Sequence, residues 1–237
     1  MVLCVAAVSA GVRADEPRQA AKQITVTVPV GIRYLEALPD GYGQDAKKRW
    51  PLVIFLHGSG ERGDELKKVA KHGPPKLVEA GKAFPFILVS PQCPAGQWWD
   101  VAALELWLDE LVRNYQMDTD RIYLTGLSMG GFGTWTWAQR TPGRFAAIVP
   151  VCGGGDPAQA GKLKNLPVWA FHGAKDPTVA LAKTEEMIAG IQAAGGEPKV
   201  TIYPEAAHDS WTEAYANDEL YVWMLAQKRV TTGAVKP

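Results

Sequence analysis

The chain has 237 residues, of which 47% are apolar and 21% charged, so it has enough apolar material for one large core and is not wholly disordered. Lys plus Arg and Asp plus Glu both total 25, which leaves no net charge to attract nucleic acid or an anionic membrane surface. The cysteines form no C-x-x-C pair and no His/Cys cluster at metal-binding spacing, so we expect no metal site. Cys93 and Cys152 both follow predicted strand ends, where a disulfide or two buried thiols would fit.

The first fourteen residues, MVLCVAAVSAGVRA, differ in composition from the rest of the chain. They are apolar and small, and small residues occupy the −3 and −1 positions before the charged DEPR, as at a signal-peptidase site. The stretch is shorter than the roughly 20 apolar residues of a membrane-spanning helix. No Lys or Arg precedes it, so a start further upstream and a disordered tail are the alternatives. The sequence predicts a signal peptide at 1–14 and a secreted or periplasmic protein.

Short strand-like runs alternate with longer helix-like runs along the rest of the chain. Runs of period two predict a leading hairpin at 24–28 and 34–38. Further apolar runs predict strands that begin near 51, 84, 121, 145, 166 and 199. Apolar positions at three-and-four spacing predict helices at 65–80, 101–115, 129–140, 179–194 and 213–228. The alternation predicts an α/β fold, with a mostly parallel sheet of about eight strands and helices on both faces. We expect one catalytic domain at 22–228 and a flexible tail at 229–237.

The stretch Gly126-Leu127-Ser128-Met129-Gly130 lies where a predicted strand meets a predicted helix. In a G-x-S-x-G of this context the serine sits on a sharp, strained turn above the sheet. Glycine two residues to either side removes a side chain that would collide with the neighbouring strands. The alternative is a serine without a role in a glycine-rich turn. We interpret Ser128 as a catalytic nucleophile.

A serine nucleophile needs a base, and the base needs an acid that orients it. His208 follows the last predicted strand, and its loop can bring it back over Ser128. His57 and His172 each precede a glycine at a predicted strand end, and we expect both to be structural. Asp176 follows the preceding strand and is the expected acid, with a helix N-cap as its alternative role.

The remaining candidates for the site are weaker. His72 lies in an early loop, Asp156 follows an earlier strand, and the side chain of Asp209 should point away from the histidine it adjoins.

The oxyanion of the tetrahedral intermediate needs two backbone N–H donors. Met129, directly after the nucleophile, is expected to supply one of them. Ser59 in the stretch HGSGERG is expected to supply the other, with Gly60 as the near alternative.

Five stretches carry a resemblance to a known superfamily. In chain order LHGSGERG, SPQCP with the following WW, GLSMGGFGTW, VCGGGD and FHGAKDP resemble the α/β-hydrolases. More narrowly, residues 24 to 228 are similar to secreted esterases grouped with phospholipase/carboxylesterase and polyhydroxybutyrate-depolymerase-like enzymes. The resemblance implies the α/β-hydrolase fold, a triad of Ser128, Asp176 and His208, oxyanion donors at Ser59 and Met129, and no cofactor. The loop around AAHDSW is shorter than in some relatives.

The predicted loops also bear on the substrate. Only residues 152–167 separate two strands between which many lipases insert a lid, so we expect no lid domain. Trp98, Trp99 and Trp211 lie in predicted loops beside the nucleophile and are the candidate substrate-binding residues, with covering the core edge as the alternative. We therefore expect a small or polysaccharide-linked ester substrate, such as a short acyl, acetyl or feruloyl ester. Neither nucleic acid nor stable membrane insertion is expected.

Three other functions fit the same motifs less well. A prolyl-oligopeptidase-like serine peptidase uses the same triad, but such enzymes usually carry a large propeller. A dienelactone-type hydrolase is expected to have cysteine at position 128, where this chain has serine. A non-catalytic binding module on the same scaffold is the alternative from another class, and an intact triad argues against it.

Overall fold

The computed structural model describes residues 30–229, which contain a seven-stranded sheet. The strands are β1 Tyr34–Ala37, β2 Trp50–Leu56, β3 Ile87–Pro91, β4 Met117–Leu127, β5 Ala147–Val151, β6 Trp169–Gly173 and β7 Lys199–Tyr203. Their order across the sheet is β1-β3-β2-β4-β5-β6-β7. β1 pairs antiparallel with β3, and every other pairing in the sheet is parallel. The structure confirms the predicted mostly parallel sheet.

The α-helices of this range are α1 Gly73–Glu79, α2 Val101–Asn114, α3 Met129–Arg140, α4 Ala182–Ala193, α5 Trp211–Ala216 and α6 Asp218–Ala226. Two helices that the periodicity predicted as continuous are divided. The first consists of a 3-10 helix, Leu66–Lys71, followed by α1, whose first turn holds Pro74 and Pro75 because proline is tolerated there and not in a helix interior. The second is divided at Asn217, whose side chain accepts a hydrogen bond from the Glu219 N–H and so begins α6.

Apolar side chains cover both faces of the sheet because successive residues of a strand point to opposite sides. In β2, Leu52, Ile54 and Leu56 pack in one core with residues of α2, α3 and α4. Val53 and Phe55 pack in the other core with residues of α5 and α6. Every residue of β2 is buried, as expected for a strand covered on both sides. The predicted layers of helix, sheet and helix are therefore present.

The connection from β5 to β6 lies where a lid would be inserted in many lipases. It contains one 3-10 helix, Pro157–Leu163, whose Ala160 and Leu163 are buried in the core with α4. The connection thus folds onto the body of the domain, in agreement with the expectation of no lid. Cys93 and Cys152 are buried free thiols, which is the second of the two predicted alternatives.

Three predictions concern the ends of the chain. The signal peptide at 1–14, the first hairpin arm at 24–28 and residues 230–237 of the tail lie outside the described residues and stay predictions. At the end of the described range, Arg229 donates its backbone N–H to the Asp120 carbonyl at 2.9 Å and its guanidinium to the Asp120 carboxylate at 2.9 Å. Within residues 30–229, no helix is both long and apolar enough to cross a membrane.

Candidate active site

Ser128 makes the turn between β4 and α3. It has φ 52° and ψ −118°, a conformation that a residue with a side chain rarely adopts. Its N–H donates to the Val151 carbonyl at 3.0 Å, and its carbonyl accepts from the Phe132 N–H at 2.9 Å. Hydrogen bonds on both sides of the residue therefore hold the strained turn.

Gly126 and Gly130 must be glycine because backbone atoms of neighbouring segments lie where a side chain would begin. A Cβ on Gly126 would lie 2.6 Å from the carbonyl carbon of Gly130. A Cβ on Gly130 would lie 2.5 Å from the carbonyl carbon of Leu56, at the end of β2. Backbone atoms cannot give way as a flexible side chain could, so these two positions exclude any other residue.

The structure brings Ser128, His208 and Asp176 together at the carboxyl ends of β4, β7 and β6. His208 Nε2 lies 2.9 Å from Ser128 Oγ, and His208 Nδ1 lies 2.7 Å from Asp176 Oδ2. A carboxylate can only accept, so Nδ1 donates to Asp176 and Nε2 of the neutral ring accepts from the serine hydroxyl. This is the arrangement of a nucleophile, a general base and an orienting acid.

Asp176 uses its two carboxylate oxygens differently. Oδ1 accepts from the N–H groups of Thr178 at 2.8 Å and Val179 at 2.9 Å, whereas Oδ2 faces His208. Burial on its own would raise the pKa of Asp176, but the hydrogen bonds from His208 and from the two amides lower it below its ordinary value. Asp176 is therefore a carboxylate at neutral pH. The bonds to Oδ1 close a turn over residues 176–179, and because α4 begins only at Ala182, Asp176 is not the helix N-cap named as its alternative role.

The loops that carry the acid and the base are bonded to each other. The Ala174 N–H donates to the Tyr203 carbonyl at 2.9 Å, and the Lys175 N–H donates to the Ala206 carbonyl at 3.0 Å. These bonds fix the distance between Asp176 and His208 before any substrate arrives. The rival acids lie elsewhere, because Asp156 caps the 3-10 helix at Ala158 and Asp209 is exposed.

The two strand-end histidines have different partners. His57 donates from Nδ1 to the Gly58 carbonyl at 2.6 Å and accepts at Nε2 from the Cys93 N–H at 2.9 Å, and burial lowers its pKa to about 4. His172 lies with Nε2 at 2.9 Å from the Val179 carbonyl and 3.3 Å from Asp176 Oδ2. Both of those oxygens are acceptors, so the His172 Nε2 carries the hydrogen. His172 thus contacts the acid of the triad, which its sequence position did not predict.

The predicted oxyanion donors, the N–H groups of Ser59 and Met129, both lie at the first residue of a helix. Ser59 begins a 3-10 helix, Ser59–Glu61, and Met129 begins α3. Among the bonds between described residues, neither of these two N–H groups donates to an acceptor. Arg62 holds the first loop in place by donating to the Ser59 carbonyl at 2.9 Å and to the Gln97 carbonyl at 3.1 Å. Two free donors beside a serine are what an oxyanion requires, and their role stays a prediction.

The three candidate tryptophans have separate environments. Trp98 is 63% exposed and meets Phe132 of α3 edge-on, with the ring centres 6.1 Å apart. Trp99 packs against the core and donates from its indole N–H to the His57 carbonyl at 3.3 Å. Trp211 meets the His208 ring edge-on at 5.2 Å. Contact with a substrate is thus most open to Trp98, whereas Trp99 and Trp211 are both partly buried against a core, which is the core-covering environment named as the alternative.

Cys152 lies directly beneath the triad. Within residues 30–229, Ser128 and Cys152 are the two residues other than glycine that have a positive φ, and the φ of Cys152 is 41°. The Cys152 Sγ, a carboxylate oxygen of Asp176 and a ring nitrogen of His208 lie within 4.8 Å of one another, a spacing at which three such atoms could bind a metal ion. Burial raises the pKa of the Cys152 thiol to about 12, so without a metal ion it is protonated at neutral pH. Asp176 and His208 are hydrogen-bonded to each other, so the atoms that could bind a metal ion are already engaged in the Ser128–His208–Asp176 arrangement.

The chain belongs to the Dienelactone hydrolase family, whose model matches residues 101–222, the part of the chain that contains Ser128, Asp176 and His208. This corrects one sequence argument. A dienelactone-type hydrolase was set aside because position 128 is serine, but serine at this position is compatible with membership of the family.

Two curated relatives are esterases or depolymerases by name. The Bifunctional acetylxylan esterase/xylanase XynS20E of Neocallimastix patriciarum is 27% identical over 143 residues, which cover 57% of this chain and 20% of that protein. Poly(3-hydroxyalkanoate) depolymerase C of Paucimonas lemoignei is 26% identical over 145 residues, which cover 54% of this chain and 33% of that protein. The chain thus spans between a fifth and a third of the length of these relatives.

Two solved structures share the fold. A thermostable esterase is 31% identical and superposes with a TM-score of 0.73, covering 84% of this chain and 60% of that one. Acylaminoacyl peptidase of Pyrococcus horikoshii superposes with a TM-score of 0.66, covering 88% of this chain and 42% of that one, but at 17% identity it shows the fold alone. The comparisons confirm the predicted α/β-hydrolase fold and support the prediction of an esterase-type α/β hydrolase.

Proposed function

We propose that this protein is a serine carboxylesterase that hydrolyses small or polysaccharide-linked esters with short acyl, acetyl or feruloyl groups. The observation that carries the proposal is the unbroken chain of hydrogen bonds from Ser128 through His208 to Asp176, at 2.9 and 2.7 Å. The family of hydrolases to which the chain belongs and a relative named as an acetylxylan esterase support ester bonds as the substrate.

The mechanism follows from the roles of the three side chains. His208 removes the proton of the Ser128 hydroxyl as its oxygen attacks the ester carbonyl, and Asp176 stabilises the imidazolium that forms. The Ser59 and Met129 N–H groups stabilise the oxyanion. His208 then gives its proton to the departing alcohol, which leaves an acyl group on Ser128. Water attacks this acyl-enzyme with His208 again as the base, and the acid is released.

A serine peptidase is the second candidate, and the fold, which an acylaminoacyl peptidase shares, is compatible with it. The triad alone does not distinguish an ester from an amide. The two candidates differ in which leaving group the enzyme accepts, so the same assay can compare them.

The test is hydrolysis of p-nitrophenyl acetate, butyrate and octanoate, methyl ferulate, and an acyl-peptide p-nitroanilide by the wild type and Ser128→Ala. We expect ester hydrolysis by the wild type and a loss of about 10³-fold or more in the variant, since oxyanion binding alone sustains a residual rate. Circular dichroism checks that the variant is folded. Hydrolysis of the anilide with no ester hydrolysis would establish the peptidase, and equal rates for the two proteins would remove Ser128 from the mechanism.

We also propose that the protein is exported and cleaved after Ala14. The support is the apolar stretch MVLCVAAVSAGVRA with small residues before the cleavage point. N-terminal sequencing of the protein from the medium or periplasm of an expressing bacterium tests this. A mature chain that begins at Asp15 is expected, and a cytoplasmic chain that retains residues 1–14 would contradict it.

A further inference from the structure

Glu61, in the loop after β2, is a carboxylate without a hydrogen-bond donor. The residue is 4% exposed, and among residues 30–229 no N–H or O–H group donates to its side chain within hydrogen-bond distance. The nearest basic atom is Nε2 of His72, at 3.9 Å from Oε1. Its oxygens are not among the fully enclosed unpaired atoms, so they still reach solvent. A carboxylate that has lost most of its water and gained no donor is costly unless something else supplies the donor.

The carboxylate lies on the nucleophile's side of the loop. The position that a Cβ would occupy on Gly58 is 3.2 Å from Glu61 Oε2 and 3.7 Å from Ser128 Cβ. Gly58 also precedes Ser59, whose N–H is the proposed oxyanion donor. A substrate held at Ser128 therefore comes close to Glu61.

Glu61, His72 and Trp211 together form what we term the Glu61 wall. The His72 ring packs against Trp211 with the ring centres 5.3 Å apart, and Trp211 meets the ring of His208 at 5.2 Å. The wall thus runs from the loop beside the nucleophile to the catalytic base. Burial lowers the pKa of His72, although Glu61 acts in the opposite direction, so the ring is neutral at pH 7 and brings no positive charge to the Glu61 side chain.

We propose that the Glu61 carboxylate accepts hydrogen bonds from hydroxyl groups of a sugar that carries the ester, beside the half-buried ring of Trp211. A hydroxyl satisfies the carboxylate without bringing a second charge into the recess, and the neutral His72 ring can bond a neighbouring hydroxyl. An indole ring offers an apolar surface to the C–H face of a sugar. The inference rests on the proposed esterase function and narrows it to sugar-linked esters.

The first test uses the wild type alone. Methyl 5-O-feruloyl-arabinofuranoside is compared with its 2,3-di-O-methyl ether, which has the same ester and the same acyl group but no sugar hydroxyl. We expect kcat/KM to fall about 10-fold or more for the ether, since a hydrogen bond to a charged group is lost. Equal values for the two substrates would overturn the proposal.

The second test measures selectivity in Glu61→Gln, with Glu65→Gln as the matched control on an exposed glutamate of the same loop. The quantity is kcat/KM for the feruloyl arabinoside divided by kcat/KM for methyl ferulate. We expect this ratio to fall about 10-fold in Glu61→Gln, mainly through KM, and to stay at the wild-type value in the control. A uniform loss on both esters would assign Glu61 to holding the loop and overturn the proposal.

The two proposals fail in distinguishable ways. Hydrolysis of p-nitrophenyl acetate and methyl ferulate by the wild type, with loss in Ser128→Ala, upholds the esterase whatever the sugar results are. If the wild type hydrolyses no ester at all, the esterase and the sugar site fall together.

Discussion

A His-Gly pair directly follows β2, at 57–58, and another ends β6, at 172–173, and the loops that come next both lead to the candidate site. His57 and His172 are both buried, at 1% and 0% exposure. His57 bonds only backbone groups, so it fixes the loop that presents the Ser59 N–H. His172 bonds the Val179 carbonyl and Thr184 and also lies 3.3 Å from the carboxylate of Asp176. In the proposed mechanism, the loop after β2 supplies an N–H donor and the loop after β6 supplies a negative charge.

The difference shows that burial and local sequence do not decide what a histidine does. The same dipeptide at equivalent strand ends gives one ring among neutral amides and one ring against a charged carboxylate. We expect substitutions in the β6 loop to act through the charge of Asp176, and those in the β2 loop to act through main-chain geometry and stability.

Removal of the charge from the β6 loop has the largest expected effect. Asp176→Asn should lower kcat about 10³- to 10⁴-fold with little change in KM, because an amide can hold the imidazole in the wrong tautomer. The measurement is hydrolysis of p-nitrophenyl acetate. Asp156→Asn, at an exposed capping aspartate, is the matched control and should keep wild-type activity. More than a tenth of the activity remaining in Asp176→Asn would contradict the role.

Removal of the donor from the β2 loop comes next. Ser59→Pro deletes one N–H and should lower kcat about 10²-fold or more, whereas Ser59→Ala keeps the N–H and should be nearly neutral. Proline is compatible with the first position of this helix because Gly58 before it is extended, with φ −77° and ψ 179°. If both variants keep wild-type kcat, the donor is another group, with Gly60 the next to test.

The low pKa of His57 predicts a pH dependence of stability. The unfolded ring binds a proton near pH 6.5 and the folded ring near pH 4, so the free energy of unfolding should fall as the pH drops from 6.5 to 4. The upper limit of this loss is about 3 kcal/mol. Urea unfolding at several pH values measures it, and His57→Gln should show a shallower slope. The same slope in both proteins would assign the effect to other groups.

The contact of His172 with Asp176 has the smallest expected effect. His172→Leu should lower kcat about 10-fold without raising KM, since the Asp176 carboxylate loses the N–H group that lies 3.3 Å from it and helps to fix its position. His172→Gln, which keeps a donor, should recover part of the rate. In an Asp176→Asn background the same His172→Leu change should cost less than about 2-fold. A full 10-fold loss in that background would show that His172 acts independently of Asp176.

The sequence predicted the sheet and the meeting of Ser128, Asp176 and His208 because both rest on local patterns. Strands buried on both faces are continuous apolar runs, and the glycines around Ser128 reflect main-chain contacts that no other residue permits. Asp176 and His208 could be found because the ends of parallel strands gather at one edge of the sheet.

Features that depend on side-chain direction in loops were not predicted. Trp98 and Trp99 are neighbours, yet Trp98 faces solvent and Trp99 packs against the core, and a loop has no periodicity that would separate them. Glu61 is a charged residue in a glycine-rich loop, a pattern that indicates exposure, yet it is buried. The contact between His172 and Asp176 depends on how the chain turns between them.

The main-chain contacts of Gly126 and Gly130 limit how this enzyme can diversify. Ser128 is held where β2 and α3 touch without intervening side chains, so its position cannot be adjusted in small steps by substitution. Variation that alters substrate choice is therefore confined to the rim, in the loops after β2, β3 and β7. Exchanging these loops between relatives that keep both glycines should transfer substrate specificity while the position of Ser128 stays unchanged.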